Sequence, residues 1–101
     1  MSRYDQITEM EGILDAHRAM LDRLDALLSE YEAGQKDFKR LVAYYDSPQW
    51  LKDYEFSNTD EFSPDVKCGV LSEDSVFDLL GDNRRAAERM RDLAGKVLRE
   101  K

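Results

Sequence analysis

The residues that could support chemistry are few in this chain and lie far apart. Its 101 residues include one histidine, His17, and one cysteine, Cys68. A disulfide needs a second cysteine, and a Cys/His zinc site needs more ligands than this pair provides. The residue three positions before His17 is Leu14, so the Glu-x-x-His spacing of di-metal helical bundles is absent. We therefore expect no metal site and no cofactor.

Motifs of the common catalytic classes are also missing. The sequence contains no glycine-rich phosphate loop, no Gly-x-Ser-x-Gly turn and no His-Glu-x-x-His pair. The 22 acidic residues do not by themselves indicate a catalytic pair, because paired acids need a pocket that separates their pKa values. The sequence therefore predicts a protein that is not an enzyme, with no catalytic residues. A hydrolase or metal-dependent enzyme is the alternative that it supports least.

Aromatic side chains give the most informative pattern. Seven of the ten aromatic residues fall between positions 38 and 62, namely Phe38, Tyr44, Tyr45, Trp50, Tyr54, Phe56 and Phe62. One interpretation is a small core that closes one end of the fold. The other is a recognition patch with an acidic rim, because Tyr and Trp dominate protein–protein hot spots. We predict a partner-binding site formed by Tyr44, Trp50, Asp53 and Tyr54, with the small core as the open alternative.

A long amphipathic helix must position the first part of this cluster. Apolar residues repeat every seven positions in two series up to Tyr45, interrupted only by His17 and Gln35, and these are heptad a and d positions. Apolar residues at the g positions widen the stripe toward the face of a bundle helix. Ser2 followed by Asp5 resembles a capping box. The pattern predicts helix 1 over about residues 3–45.

Two further helices are predicted after this one. Ser47 followed by Pro48 is typical of an N-cap and first helical position, so we expect a short helix over about residues 48–54. A connector over residues 55–71 follows. Ser72 and the apolar spacing beyond it predict helix 3 over about residues 73–99. Together these form one all-α domain over residues 1–101, a coiled-coil-like antiparallel helical hairpin.

Length and charge predict self-association. Helix 1 is longer than helix 3 by an expected ~23 Å, so a shorter helix cannot cover its whole apolar face. The net charge is -7, divided as -3 over residues 1–45, -8 over residues 46–82 and +4 over residues 83–101. Opposite charge in separate regions favours pairing with another copy, with helix-dipole complementarity and solubility as the open alternative. We expect a homodimer that completes the bundle.

The basic last helix raises the main alternative. Six basic residues lie between positions 84 and 99, but Glu88 and Asp92 interrupt them at three- and four-residue offsets. Such spacing is typical of surface ion pairs, here Arg84 with Glu88 and Asp92 with Lys96. A small nucleic-acid-associated regulator or antitoxin-like protein is the alternative function. The acidic total charge argues against it, so we do not expect nucleic acid as a partner.

One segment carries a resemblance to a known family. It contains the pattern Tyr44-Tyr45-x-Ser47-x-x-Trp50-x-x-Asp53-Tyr54, followed by Lys67-x-Gly69-Val70-Leu71-Ser72-Glu73-Asp74-x-x-Phe77-x-Leu79-Leu80. This resembles a family of small bacterial cytoplasmic proteins known as domain of unknown function 4298. The resemblance implies no activity, cofactor or catalytic residue.

The sequence as a whole favours a non-enzymatic protein–protein interaction or adaptor module. Its expected partners are a second copy and an unidentified protein. No apolar run is long enough for a membrane span, and acidic residues stand near the N-terminus where a signal peptide would be apolar. We therefore expect a cytoplasmic protein without a membrane partner.

Overall fold

Residues 2–100 form three α-helices and one short 3-10 turn. The computed structural model describes residues 2–100, and none of these lies in a strand. The elements are α1 over Arg3–Tyr45, α2 over Pro48–Ser57, the 3-10 turn η1 over Gly69–Leu71 and α3 over Glu73–Glu100. The predicted all-α class is confirmed, and the order of long, short and long helix is that of the predicted hairpin.

Helix α1 begins with the capping box that the sequence predicts. The Asp5 backbone N–H donates to the Ser2 hydroxyl at 3.1 Å, and the Ser2 N–H donates to the Asp5 carboxylate at 3.4 Å. These two contacts satisfy backbone donors that have no partner inside the first turn. The helix then continues for 43 residues to Tyr45, as predicted.

Helix α2 starts as predicted but ends later. The Ser47 hydroxyl accepts from the Trp50 backbone N–H, and Pro48 occupies the first turn. The predicted end near residue 54 is wrong, because the helix continues to Ser57 and is capped at Asn58. No glycine or proline lies between residues 55 and 57, so nothing in the backbone stops the helix there. Helix α3 runs one residue beyond its predicted end.

The chain forms two compact units, which meet in sequence between Arg40 and Leu41. The N-terminal unit is the first part of α1, and every residue from Ser2 to Glu30 is exposed. The C-terminal unit contains the last turn of α1 with α2, η1 and α3, and its buried apolar residues are Trp50 and Val76. Both α2 and α3 contact η1, so this short turn links the two helices within the C-terminal unit.

Candidate functional site

The predicted site lies in the C-terminal unit, where the chain turns from α1 into α2. Asp46 and Ser47 make this turn, and the Ser47 backbone N–H donates to the Tyr44 carbonyl at 3.0 Å. The Ser47 hydroxyl donates to the same carbonyl at 2.6 Å. The turn brings the end of α1 next to the first turns of α2. We call the cluster formed by Tyr44, Tyr45, Trp50, Asp53 and Tyr54 the aromatic knuckle.

Trp50 is the centre of the aromatic knuckle. Only 9% of its surface is exposed, and its indole N–H donates to the Val70 carbonyl of η1 at 2.9 Å. Its ring packs edge-on against Tyr45 and parallel to Tyr54, with centroid distances of 5.4 Å in both pairs. Aromatic pairs at such distances contribute ~1 kcal/mol beyond their buried area. Trp50 therefore ties α2 to η1 and to the end of α1.

A second contact joins α1 to α2 beside the tryptophan. The Tyr44 hydroxyl donates to Asp53 Oδ2 at 2.5 Å, and the Gln49 side-chain amide donates to Asp53 Oδ1 at 2.7 Å. The hydrogen bond to Asp53, with smaller effects of desolvation and charge, raises the pKa of Tyr44 to about 12. The same bond, followed by the one from Gln49, lowers the pKa of Asp53 below its usual value.

These shifts move the pKa values of both groups further from neutral pH. A general acid or base works best with a pKa near the operating pH. Tyr44 keeps its proton more firmly and Asp53 loses its proton more readily than in an ordinary environment. Each side chain is therefore held at pH 7 in the state that makes the hydrogen bond. The arrangement suits a structural contact or a contact with a partner better than proton transfer.

The four residues predicted as a binding site are thus brought together, but their side chains are not equally exposed. Trp50 is buried, whereas Tyr44, Asp53 and Tyr54 are half-buried. Sequence reasoning missed Gln49, although its position four residues before Asp53 on one helix was a usable signal. It also missed the Val70 carbonyl, for which the sequence gives no signal.

Exposed apolar side chains form a second candidate surface, in the N-terminal unit. We call this surface the α1 face, and it consists of heptad a, d and g residues, namely Ile7, Met10, Ile13, Leu14, Met20, Leu21, Leu24, Leu27 and Leu28. These nine side chains are between 43% and 60% exposed. His17 lies at a d position in the same series and is exposed. Monomeric soluble proteins rarely leave a continuous apolar surface of this length uncovered.

Charged residues of α3 pair with one another. Arg84 Nε lies 2.9 Å from Glu88 Oε1, which confirms the predicted pair, and Arg85 pairs with Asp82. The structure pairs Asp92 with Arg91, whose Nε lies 3.4 Å from Asp92 Oδ1. These side chains are largely exposed except that of Glu88, which is half-buried. Three of the six basic residues between positions 84 and 99 therefore have acidic partners on the same helix, namely Arg84, Arg85 and Arg91.

Within residues 2–100, no group of three or more His, Cys, Asp or Glu side chains is placed to hold a metal ion. In the same range, no helix combines the length and the apolar character needed to cross a membrane. Cys68 is exposed and has a free thiol.

Comparison with known proteins shows the family of this chain. Neither the search of curated proteins nor the search of solved structures gave a match. A family model does match, and it covers residues 7–93, which includes the α1 face, the aromatic knuckle and most of α3. This confirms the resemblance seen in residues 44–80. The chain belongs to the family described as Domain of unknown function (DUF4298).

Proposed function

We propose that this protein is a non-enzymatic protein–protein interaction module that self-associates through the α1 face. The observation that supports this most directly is the row of nine large apolar side chains at least 43% exposed on a single helix. They span just over three heptads, which is within the length at which a heptad pattern indicates helix pairing.

The need of α1 for stabilising contacts also supports a partner helix. Isolated helices are marginal in water, and most helices in proteins depend on packing of an apolar face. From Ser2 to Glu30 every residue is exposed, so this part of α1 gains no such packing within the N-terminal unit. Burying the exposed half of each apolar side chain on the face would contribute on the order of 1 kcal/mol per residue. A second helix along the face would supply the missing stabilisation.

The chemistry of the aromatic knuckle supports the non-enzymatic assignment. The pKa of Tyr44 is raised and that of Asp53 is lowered, so neither group exchanges protons readily near neutral pH. A single cysteine, exposed and free, suits a reducing compartment, which supports the proposal that the protein acts in the cytoplasm.

A pair of charge-matched variants tests self-association. Leu24→Glu places a charge in the middle of the α1 face, whereas Ala26→Glu places the same charge two residues away on the opposite side of the helix. Glutamate has good helix propensity, so neither change should disrupt the helix itself. Light scattering should give about twice the 11.8 kDa chain mass for the native protein and for Ala26→Glu. Leu24→Glu should give the mass of one chain.

Two results would overturn the proposal. One is a native protein of single-chain mass at high micromolar concentration. The other is a Leu24→Glu variant that remains as fully dimeric as Ala26→Glu.

The predicted partner site at the aromatic knuckle stays a prediction. A contact role for Tyr44, Asp53 and Tyr54 is supported by their half-buried surfaces, and α2 also carries the exposed apolar Leu51. The burial of Trp50 supports a role for this residue in holding the others in place. Capture from native extract should be compared between the native protein and Asp53→Asn, which removes the charge but keeps the shape. Equal capture of every protein would refute the contact role.

A further inference from the structure

We infer that two copies pair along the α1 face in antiparallel orientation, with residue n of one helix opposite residue 45 − n of its partner. This inference rests on the proposed function, since it names how the second copy lies on the same surface. Three observations on α1 carry it: the charge along the helix, the charges beside the apolar face and the order of apolar residues on it.

The charge along α1 favours antiparallel over parallel pairing. Residues 3–32 hold eight acids and three bases, whereas residues 33–40 hold one acid and three bases. A parallel pair places the acidic parts side by side and the basic parts side by side, which is repulsive throughout. An antiparallel pair places each basic end beside the acidic start of the partner, which is attractive at both ends.

The charges beside the face select the register. Heptad e positions flank the apolar face, and they carry Glu11, Arg18, Asp25, Glu32 and Lys39. Cross-helix charge pairs at such flanking positions set partner orientation in coiled coils. Keeping a residues opposite d residues allows only slips of whole heptads, so few registers need to be compared.

The charged e residues that lie nearest to each other across the two helices favour one register. With residue n opposite 45 − n, six pairs are attractive and three are repulsive, and Arg18 contributes to four of the attractive ones. Its neighbours are the partner's Asp25 and the partner's Glu32. Sliding one heptad to a sum of 38 gives two attractive and five repulsive pairs, and a sum of 52 gives four and five. Of these three registers, only the sum of 45 has more attraction than repulsion.

The same register aligns the apolar residues over the whole N-terminal unit. Leu21 meets the partner's Leu24 on either side of the two-fold axis, which lies between residues 22 and 23. Toward the ends, Leu14 meets the partner's Tyr31 and Ile7 meets the partner's Phe38. Tyr31 and Phe38 are half-buried, and their large rings lie opposite the smaller aliphatic residues. The helices therefore overlap from Ile7 to Phe38.

Distance measurements between spin labels test the orientation and the register together. Cys68→Ser removes the native thiol, and Thr8→Cys, Asp22→Cys or Lys36→Cys then introduces one label per chain. These three sites are heptad b positions, away from the apolar face. At 1.5 Å per residue, the antiparallel register predicts an axial separation of about 44 Å for position 8 and about 40 Å for position 36. Position 22 lies beside the axis and should give a short distance.

Each result of this experiment decides one question. Short distances at all three positions would show a parallel dimer, which overturns the inference but leaves the proposed function standing. Antiparallel but slipped helices would give about 33 and 51 Å, or about 54 and 30 Å, for positions 8 and 36, and would overturn the register. No dipolar coupling at any position, with light scattering at the mass of one chain, would overturn the proposed function itself.

Discussion

At the residue scale, the hydrogen bond between Tyr44 and Asp53 determines how the end of α1 is fixed to α2. The donor and acceptor are 2.5 Å apart, and Gln49 completes the contacts of the carboxylate. Hydrogen bonds to charged groups are roughly twice as strong as neutral ones. The turn at Asp46 and Ser47 is therefore restrained by this half-buried bond and by the buried ring of Trp50.

The pKa of Asp53 should report this bond directly. Tyr44→Phe removes the larger cause of the lowered pKa and leaves only the Gln49 contact, so the pKa of Asp53 should rise toward its ordinary value of 3.8. Carboxyl NMR titration measures this pKa in both proteins. Tyr45→Phe is the control, because that hydroxyl donates to the Glu73 carbonyl at 3.1 Å and not to Asp53. An unchanged Asp53 pKa in Tyr44→Phe would contradict the bond.

The same pKa shifts define the pH range over which the contact between Tyr44 and Asp53 contributes to stability. Since the folded pKa of Asp53 is lowered, its contribution is present above 3.8 and is lost as pH falls through the folded value. Since the folded pKa of Tyr44 is raised from 10.0 to about 12, its contribution is present below 10.0 and is lost as pH rises toward 12. The contact is thus intact across the physiological range.

Removing Trp50 should cost more folding free energy than removing its neighbour on α2. Trp50→Ala deletes a buried ring that packs on two tyrosines, and we expect a loss of about 3 to 5 kcal/mol. Leu51→Ala changes an exposed side chain of the same helix, and we expect a change within about 0.5 kcal/mol. Denaturant unfolding, followed by circular dichroism at one protein concentration, measures both. Similar losses in the two variants would show that the tryptophan does not hold the C-terminal unit together.

At the element scale, the start of α2 depends on one hydroxyl. The Ser47 Oγ accepts from the Trp50 backbone N–H at 3.4 Å, and Pro48 cannot supply a donor of its own. Ser47→Ala should cost about 1 kcal/mol of stability, whereas Ser47→Asn, which keeps a capping oxygen, should recover most of this loss. Thermal unfolding of the three proteins tests the cap. Equal stability of Ser47→Ala and the native protein would refute it.

Helix starts could be predicted from the sequence because their signals are local. Ser2 with Asp5 and Ser47 with Pro48 each lie within a few residues of the groups that they satisfy, and both starts are observed. The end of α2 could not be predicted in the same way. Ser57 instead bonds back to the Tyr54 carbonyl at 2.6 Å inside the helix, in a stretch that reads as the beginning of a loop.

The residues that form the candidate site could be predicted from the sequence better than the contacts that they make. Aromatic density alone identified Tyr44, Trp50 and Tyr54, and all three lie in one cluster. The partner of the indole is the Val70 carbonyl, 20 residues away, and any backbone carbonyl of the connector would have fitted the sequence equally well. The bond from Tyr44 to Asp53 depends on the tight turn between α1 and α2, which places residues nine apart side by side.

At the scale of the whole molecule, the charge distribution favours self-association over nucleic-acid binding, the two functions that the sequence left open. The chain carries a net charge of -7, and basic residues of α3 pair with acids of the same helix, as Arg84 does with Glu88 and Arg85 with Asp82. A phosphate backbone would have to displace these acids while approaching an acidic protein. Self-association needs only the α1 face and is compatible with this charge distribution.

Nucleic-acid binding should therefore be absent even under favourable conditions. Proteins that neutralise several phosphates bind far more tightly as salt falls, typically by about 10³ to 10⁵ between 200 and 50 mM. We expect fluorescence anisotropy of labelled single- and double-stranded DNA and RNA to show no such increase for this protein. Arg84→Gln combined with Arg89→Gln provides the comparison, because it removes two α3 charges away from the aromatic knuckle. Steeply salt-dependent binding by the native protein that weakens in this variant would instead establish α3 as a nucleic-acid-binding helix.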